Sequence, residues 1–347
     1  MSRSRQSIVD LDSTLYYHCI SRCVRQAYLC GKDKFSGKNF SHRREWLTER
    51  VLWLSSFFSI GICAFSVMEN HYHIVLKVNR NHALLLTEAE IVRRWTSVYC
   101  AGHPLVERYQ LGLGCEAENI AAKQIIEVWR ERLYSISWFM RNINEYTAKR
   151  ANKEDDCKGR FWEGRFKSQA LLDQDAILNC MIYVDLNPIR AGIATTLQDS
   201  DFTSIQARID AYQEAQQQSL EQSSQSSQSV EPAEIGESVA QVECLDSQPK
   251  SLLPFGEISD QTQDIIHFSL LNYLELADWT GRKIHPTKKG FIDADTPKIL
   301  DELNIEEDDW LDLSRRFEQR FAYFAGHAPS LNYHAHHHGE HWYKGVG

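Results

Sequence analysis

Residues 65–78 read Phe-Ser-Val-Met-Glu-Asn-His-Tyr-His-Ile-Val-Leu-Lys-Val, a strand-forming run interrupted by Glu69-Asn70. A strand alternates its side chains with period two, so His71 and His73 share one face while Tyr72, Ile74 and Leu76 share the other. Two neutral imidazoles on one face make half of a divalent-metal site. An ordinary pair hydrogen-bonding at a sheet surface has the same pattern, and these residues alone leave both readings open.

Upstream, residues 15–22 form a short β-rich run, and Trp46, Leu47, Val51, Leu54 and Phe58 keep a helical period over 41–59, with Ser41 and Glu45 in capping positions and Gly61 as the stop. Strands are expected at about 62–68 and 72–78, and a helix from Thr87 to about Tyr99. This β-α-β-β-α order predicts an α+β fold with a ferredoxin-like split sheet, in which the first and third strands are neighbours. His18, on the first strand, would then stand beside the histidine pair. Residues 102–118 hold glycines and prolines without a pattern and read as an insertion loop, followed by one or two long helices over 121–152.

The chain of 347 residues carries a net charge of −9, unevenly placed. Residues 1–200 hold 27 Lys+Arg against 22 Asp+Glu, a balance of +5, and the remainder hold 11 against 25, a balance of −14. The first part is thus compatible with phosphate contacts. Between Gln213 and Pro249 the chain is rich in Gln and Ser, with seven acids and no Lys or Arg, the composition of a disordered acidic linker. It divides the sequence into a domain over 1–212, a linker over 213–250 and a small all-α region over 251–347, with helices expected at 264–278, 296–304 and 306–324. Nine scattered cysteines suit reduced thiols, and no apolar run of about 18 residues offers a membrane span. The expected location is the cytoplasm. His334, His336, His337, His338 and His341 near the end read as a flexible tail that could bind metal adventitiously.

Three stretches carry a resemblance. Met68-Glu-Asn-His-Tyr-His-Ile-Val-Leu76 resembles the His-hydrophobic-His ("HUH") signature of the single-tyrosine transposases of the insertion-sequence-200 type. Gly159-Arg-Phe-Trp-Glu-Gly-Arg-Phe-Lys-Ser168 and Tyr183-Val-Asp-Leu-Asn-Pro-Ile-Arg-Ala-Gly192 resemble the REP-associated tyrosine transposases of that group. The resemblance spans roughly residues 14–210. It implies an HUH endonuclease fold and a tyrosine that attacks single-stranded DNA, leaving a 5′-phosphotyrosine and a free 3′-hydroxyl. Aligned back from Gly159 and Trp162, that nucleophile falls on Tyr146, with Tyr134, Tyr17 and Tyr183 as lesser candidates. Tyr146 also borders the apolar stripe of Ile136, Phe139, Met140, Ile143 and Thr147, where a half-buried core tyrosine would look the same.

His71 and His73 would hold Mg²⁺ or Mn²⁺ to polarise a phosphodiester oxygen. In some relatives the third ligand is a polar residue about a turn beyond the tyrosine. Here Lys149 and Arg150 stand there and cannot ligate a cation, which moves the expectation to His18. Arg160, Trp162, Arg165, Lys167 and Arg190 are the expected DNA contacts, cations on phosphates and rings on bases; the same aromatics would equally serve as core plugs. The resemblance implies single-stranded or hairpin DNA as partner, a bacterial, nucleoid-associated location, and a homodimer. A catalytically lapsed DNA-binding protein of the same fold is the alternative, and a metal-dependent phosphodiesterase using water is a third reading.

Overall fold

The computed structural model describes residues 7–24, 29–31, 37–225, 248–256, 264–284 and 306–345. In chain order the elements are β1 (Tyr16–Arg22), α1 (Arg43–Ser55), β2 (Ile60–Val67), β3 (His71–Val78), α2 (Arg80–Leu85), α3 (Glu88–Tyr99), α4 (Pro104–Gln110), α5 (Glu116–Leu133), α6 (Ile136–Glu154), β4 (Lys167–Leu171), α7 (Gln174–Asp185), α8 (Asn187–Arg190), α9 (Ser204–Gln225), β5 (Phe255–Gly256), β6 (Ile266–His267), α10 (Leu270–Ile284), α11 (Glu307–Arg320), β7 (Phe324–Ala325) and α12 (Ala328–His337). The fold is mixed α+β around a five-stranded sheet of order β2-β3-β1-β4-β7. β1 runs antiparallel to both β3 and β4, which makes the first and third strands neighbours as the element order requires.

Each face has its own cover. Tyr17, Cys19, Tyr72, Ile74 and Leu76 are fully buried, and burying such a side chain stabilises by about 1.5–3 kcal/mol. α1 and α6 pack against each other on this side, where the Tyr72 hydroxyl donates to Asn144 Oδ1 of α6 at 2.8 Å and Asn144 Nδ2 donates to Ser21 Oγ at 3.1 Å. The opposite face, which carries His18, His71 and His73, packs against α7.

Several expectations need correction. α1 starts at Arg43 with His42 as its cap, and the Ser41 hydroxyl donates to Asn39 Oδ1 rather than capping the helix, while Gly61 sits inside β2. The expected insertion loop contains α4, because Pro104 lies in its first turn, where a missing N–H costs nothing, and His103 caps Leu105. Residues 213–225 continue α9 instead of starting the linker, and 226–247 and the helix expected at 296–304 lie outside the described residues. Beyond residue 250 the chain is not all-α: β5 and β6 pair with each other, and β7 joins the main sheet parallel to β4. α11 packs on α7, so it lies on the side of the sheet that carries the histidines. The histidine-rich segment is the helix α12, with Leu331, His334 and Ala335 buried.

Asp185 anchors much of this packing. Fully buried at the end of α7, it accepts hydrogen bonds from Ser204 Oγ at 2.5 Å and the Ile205 amide at 3.1 Å, both in the first turn of α9, and from the Tyr273 hydroxyl of α10 at 2.5 Å. Burial pushes its carboxyl up to about 6, against the opposing pull of these donors and of Arg208.

Candidate metal and nucleic-acid site

The strand register sets the geometry. Ile20 of β1 is paired with His73 and Arg22 with His71, while His18 lies two residues along from Ile20 on the same face. The His18 and His73 rings stack with centroids 5.1 Å apart, and His71 meets His73 edge-on at 4.9 Å. All three are held below the ordinary imidazole pKa, first by burial: His18 downward, His73 well downward, and His71 to about 4 with Arg22 adding to the effect. They are neutral at pH 7 and keep a lone pair for a metal.

Hydrogen bonds fix which nitrogen carries that lone pair. His18 Nδ1 faces Gln169 Oε1 at 3.3 Å, an acceptor, so His18 carries its proton there and its Nε2 accepts from His73 Nδ1 at 2.9 Å. His71 Nδ1 faces Asn70 Oδ1 at 2.6 Å. The Nε2 lone pairs of His71 and His73 are left over, and His73 Nε2 is a buried atom with no hydrogen-bond partner. An orphaned buried ring nitrogen on a neutral imidazole is what a metal ligand looks like without its metal, so the residues fit a divalent ion. His18 does not have that feature. Its second nitrogen is already spent on His73, and it orients a ligand.

Two groups that the sequence ranked low or missed complete this face. Tyr183 of α7 lies edge-on to His73 at 6.0 Å and to His18 at 6.3 Å, and donates its hydroxyl to Glu318 Oε1 of α11 at 3.1 Å. Burial pushes its phenol up to about 12, with Arg190 pulling it down and Glu318 up. The same Glu318 oxygen stands 3.6 Å from His73 Nδ1. Arg190 lies over the Tyr183 ring at 4.0 Å and donates to Asn187 Oδ1 at 3.0 Å, so Tyr183, Asn187 and Arg190 share one side of the α7–α8 turn. Asn187 is buried and its Nδ2 has no hydrogen-bond partner.

Tyr146 is elsewhere. Its helix, α6, covers the opposite face of the sheet, where Asn144 bonds Tyr72 and Ser21; Tyr146, two residues on and so about 200° round the helix, turns away from the sheet. Arg150 donates to its hydroxyl at 2.7 Å and the Arg50 guanidinium lies 4.7 Å from its ring. Tyr17 also points to that opposite face, and its hydroxyl is bonded to the Asp10 and Thr14 carbonyls.

Of the expected DNA contacts, Arg160, Arg165 and Lys167 are exposed. Arg165 and Lys167 line a cavity of about 500 Å³ together with His18, Gln169, Glu318 and Phe321. Trp162 is not available for stacking. It is 8 % exposed, edge-on to Tyr72 at 5.6 Å, and its Nε1 donates to the Asn144 carbonyl, because the aromatics of this motif fill the seam between sheet and α6.

Neutral buried imidazoles predict an acid-labile fold. His71 stays neutral in the fold down to about pH 4 but charges below about 6.5 when unfolded, so protons favour the unfolded state across that window by about 3 kcal/mol. Asp185, raised to about 6, opposes this by a similar amount as pH falls toward its ordinary value. His18 and His73 act with His71 and decide the sign. The metal-free protein should show a urea midpoint that falls steadily from pH 6.5 to 4.5, and a constant or rising midpoint would contradict this assignment.

No family model matches the chain, and neither does any curated protein. Among solved structures, it is similar to that of a REP-associated tyrosine transposase bound to a REP hairpin, at 13% identity and a TM-score of 0.35, covering 60% of this chain and 86% of that chain.

Proposed function

We propose that this chain is a metal-dependent HUH single-tyrosine transposase or nickase that cleaves and rejoins single-stranded DNA at hairpins. The observation that carries this reading is one sheet face on which the free Nε2 of a buried neutral His73, His71, and a tyrosine hydroxyl already bonded to a carboxylate come together. His71 and His73 are the proposed ligands and His18 orients His73. The proposed third ligand is Asn187, through its Oδ1, one turn beyond Tyr183, where some relatives carry a polar residue. A bound Mg²⁺ or Mn²⁺ would polarise a non-bridging phosphate oxygen.

Tyr183 is the proposed nucleophile in place of Tyr146. Its oxygen attacks phosphorus, its proton passes to Glu318, and the bond to the 3′-oxygen breaks, leaving a 5′-phosphotyrosine and a 3′-hydroxyl once that oxygen takes a proton from water. Rejoining reverses these steps. Arg190, over the phenol ring, stabilises the charge that grows on phenolate and phosphate, and exposed Arg160, Arg165 and Lys167 hold the DNA backbone.

A second reading keeps Tyr146, since two guanidinium groups flank it and suit a bound phosphate, but it then needs a second subunit to carry the phenol to the imidazole face. Incubation with a labelled single-stranded hairpin and Mn²⁺, read as a covalent protein–DNA band on a denaturing gel, separates the two. The expected result is a band in wild type and Tyr146→Phe and none in Tyr183→Phe; the opposite pattern selects the two-subunit reading. Cleavage without a band points to attack by water, and hairpin binding without cleavage to a lapsed enzyme.

A further inference from the structure

Away from the DNA site, the loop before β1 meets α12 beside the edge strand β7. Among the described residues, the group of three donors lying within 4.8 Å of one another is Asp10, His334 and His338. We propose that these residues bind a divalent ion of the zinc class, which clasps the amino-terminal turn to the last helix.

The donor set is built for such an ion. His334 lies on α12 and His338, four residues on, caps its carboxyl end, which places both rings on one side, stacked at 4.3 Å. His334 is 5 % exposed, with Phe324 of the edge strand β7 at 4.6 Å and Tyr343 at 5.6 Å, so its ring is fixed by packing. The Asp10 carboxylate reaches His338 Nε2 at 3.1 Å. Its loop is fixed too: the Tyr17 hydroxyl and the Thr14 amide both bond the Asp10 carbonyl, at 2.8 and 3.2 Å.

Two imidazoles and a carboxylate favour Zn²⁺, Co²⁺ or Ni²⁺ over Mg²⁺, and leave a fourth position to water. Around a tetrahedral ion with bonds of about 2.0–2.1 Å, donors lie about 3.3 Å apart. The Asp10–His338 pair already has this spacing, and all three donor atoms lie within 4.8 Å of one another.

An ion here would stabilise only the folded chain, since Asp10 and His338 are brought together by folding alone. It would tie the loop before β1 to the segment that supplies β7. The site shares no residue with the His71/His73 face, so its test is independent of the DNA reading.

The test uses the full chain with ZnCl₂ in excess Mg²⁺, with zinc affinity and stoichiometry read by competition with a chromogenic chelator and Tm read alongside. In a His71→Ala/His73→Ala background, which leaves this site as the one tested, His338→Gln and Asp10→Asn should each lose one bound equivalent and the zinc-dependent rise in Tm. Removing a ligand should raise Kd beyond the roughly 100-fold that loss of an outer-shell partner costs. Co²⁺ should give the visible bands of a four-coordinate centre in wild type and lose that contribution in both variants. His338→Gln, at a part-exposed helix end, keeps the test decisive if Asp10→Asn lowers the metal-free Tm. If, in that background, zinc affinity changes by less than about tenfold in His338→Gln, or the Tm rise persists undiminished, Asp10 and His338 are an ion pair only and the proposal is overturned.

Discussion

His71→Ala combined with His73→Ala should abolish Mn²⁺-dependent strand cleavage, by about 10³-fold or more, while hairpin binding survives. Metal polarisation of a phosphoryl oxygen supplies several kcal/mol of transition-state stabilisation, and each 1.4 kcal/mol or so is a factor of ten in rate. The exposed cations that would grip the DNA backbone, Arg160, Arg165 and Lys167, are untouched by the change. Binding and chemistry should therefore separate cleanly. Both rings are neutral and His73 Nε2 makes no hydrogen bond, so their removal breaks no ion pair; the fold loses the His73–His18 and His71–Asn70 bonds and some packing. A gel-shift titration beside a single-turnover cleavage assay reads both quantities. Undiminished cleavage in the double variant would remove the imidazole face from the mechanism.

Asp185→Ala should destabilise the protein by about 3–5 kcal/mol, a large share of a domain's usual 5–15. The change leaves three buried donors unanswered: the Ser204 hydroxyl, the Ile205 amide that opens α9, and the Tyr273 hydroxyl from α10. It also removes the carboxylate that partly offsets fully buried Arg208. Asp185→Asn should cost far less, about 1–2 kcal/mol, because its Oδ1 still accepts at α9 and its amide can donate to Tyr273. Urea titration of the three proteins checks the ranking, and a loss below about 1 kcal/mol for the alanine variant would mean that this network does not hold α7, α9 and α10 together.

The histidine pair was legible because period two is a property of the strand itself. Once β1 and β3 were expected to be neighbours, His18 beside His73 followed, and the register of Ile20 against His73 bears this out. What His18 does there was not legible, since that depends on Gln169, a residue 151 positions away on β4. Tyr146 and Tyr183 illustrate a different limit. Helical periodicity says which side of a helix is apolar, not which face of the sheet that side covers, and α6 and α7 cover opposite faces. Trp162 failed for a related reason, since a ring among arginines reads as a stacking platform until its Nε1 is found bonded to the Asn144 carbonyl inside the core. Glu318 had no local signal at all. It lies in a segment without a recognisable motif, and only the packing of α11 on α7 brings it to the Tyr183 hydroxyl.

The central claim is that the phenol facing the imidazoles becomes bonded to DNA, and the most direct measurement is the identity of the peptide that carries the nucleotide. The adduct formed with a hairpin and Mn²⁺ would be trapped by denaturation, digested with nuclease and trypsin, and sequenced by mass spectrometry. The account predicts a nucleotide on the 168–190 peptide, at Tyr183. A nucleotide on the 142–149 peptide, at Tyr146, would contradict it.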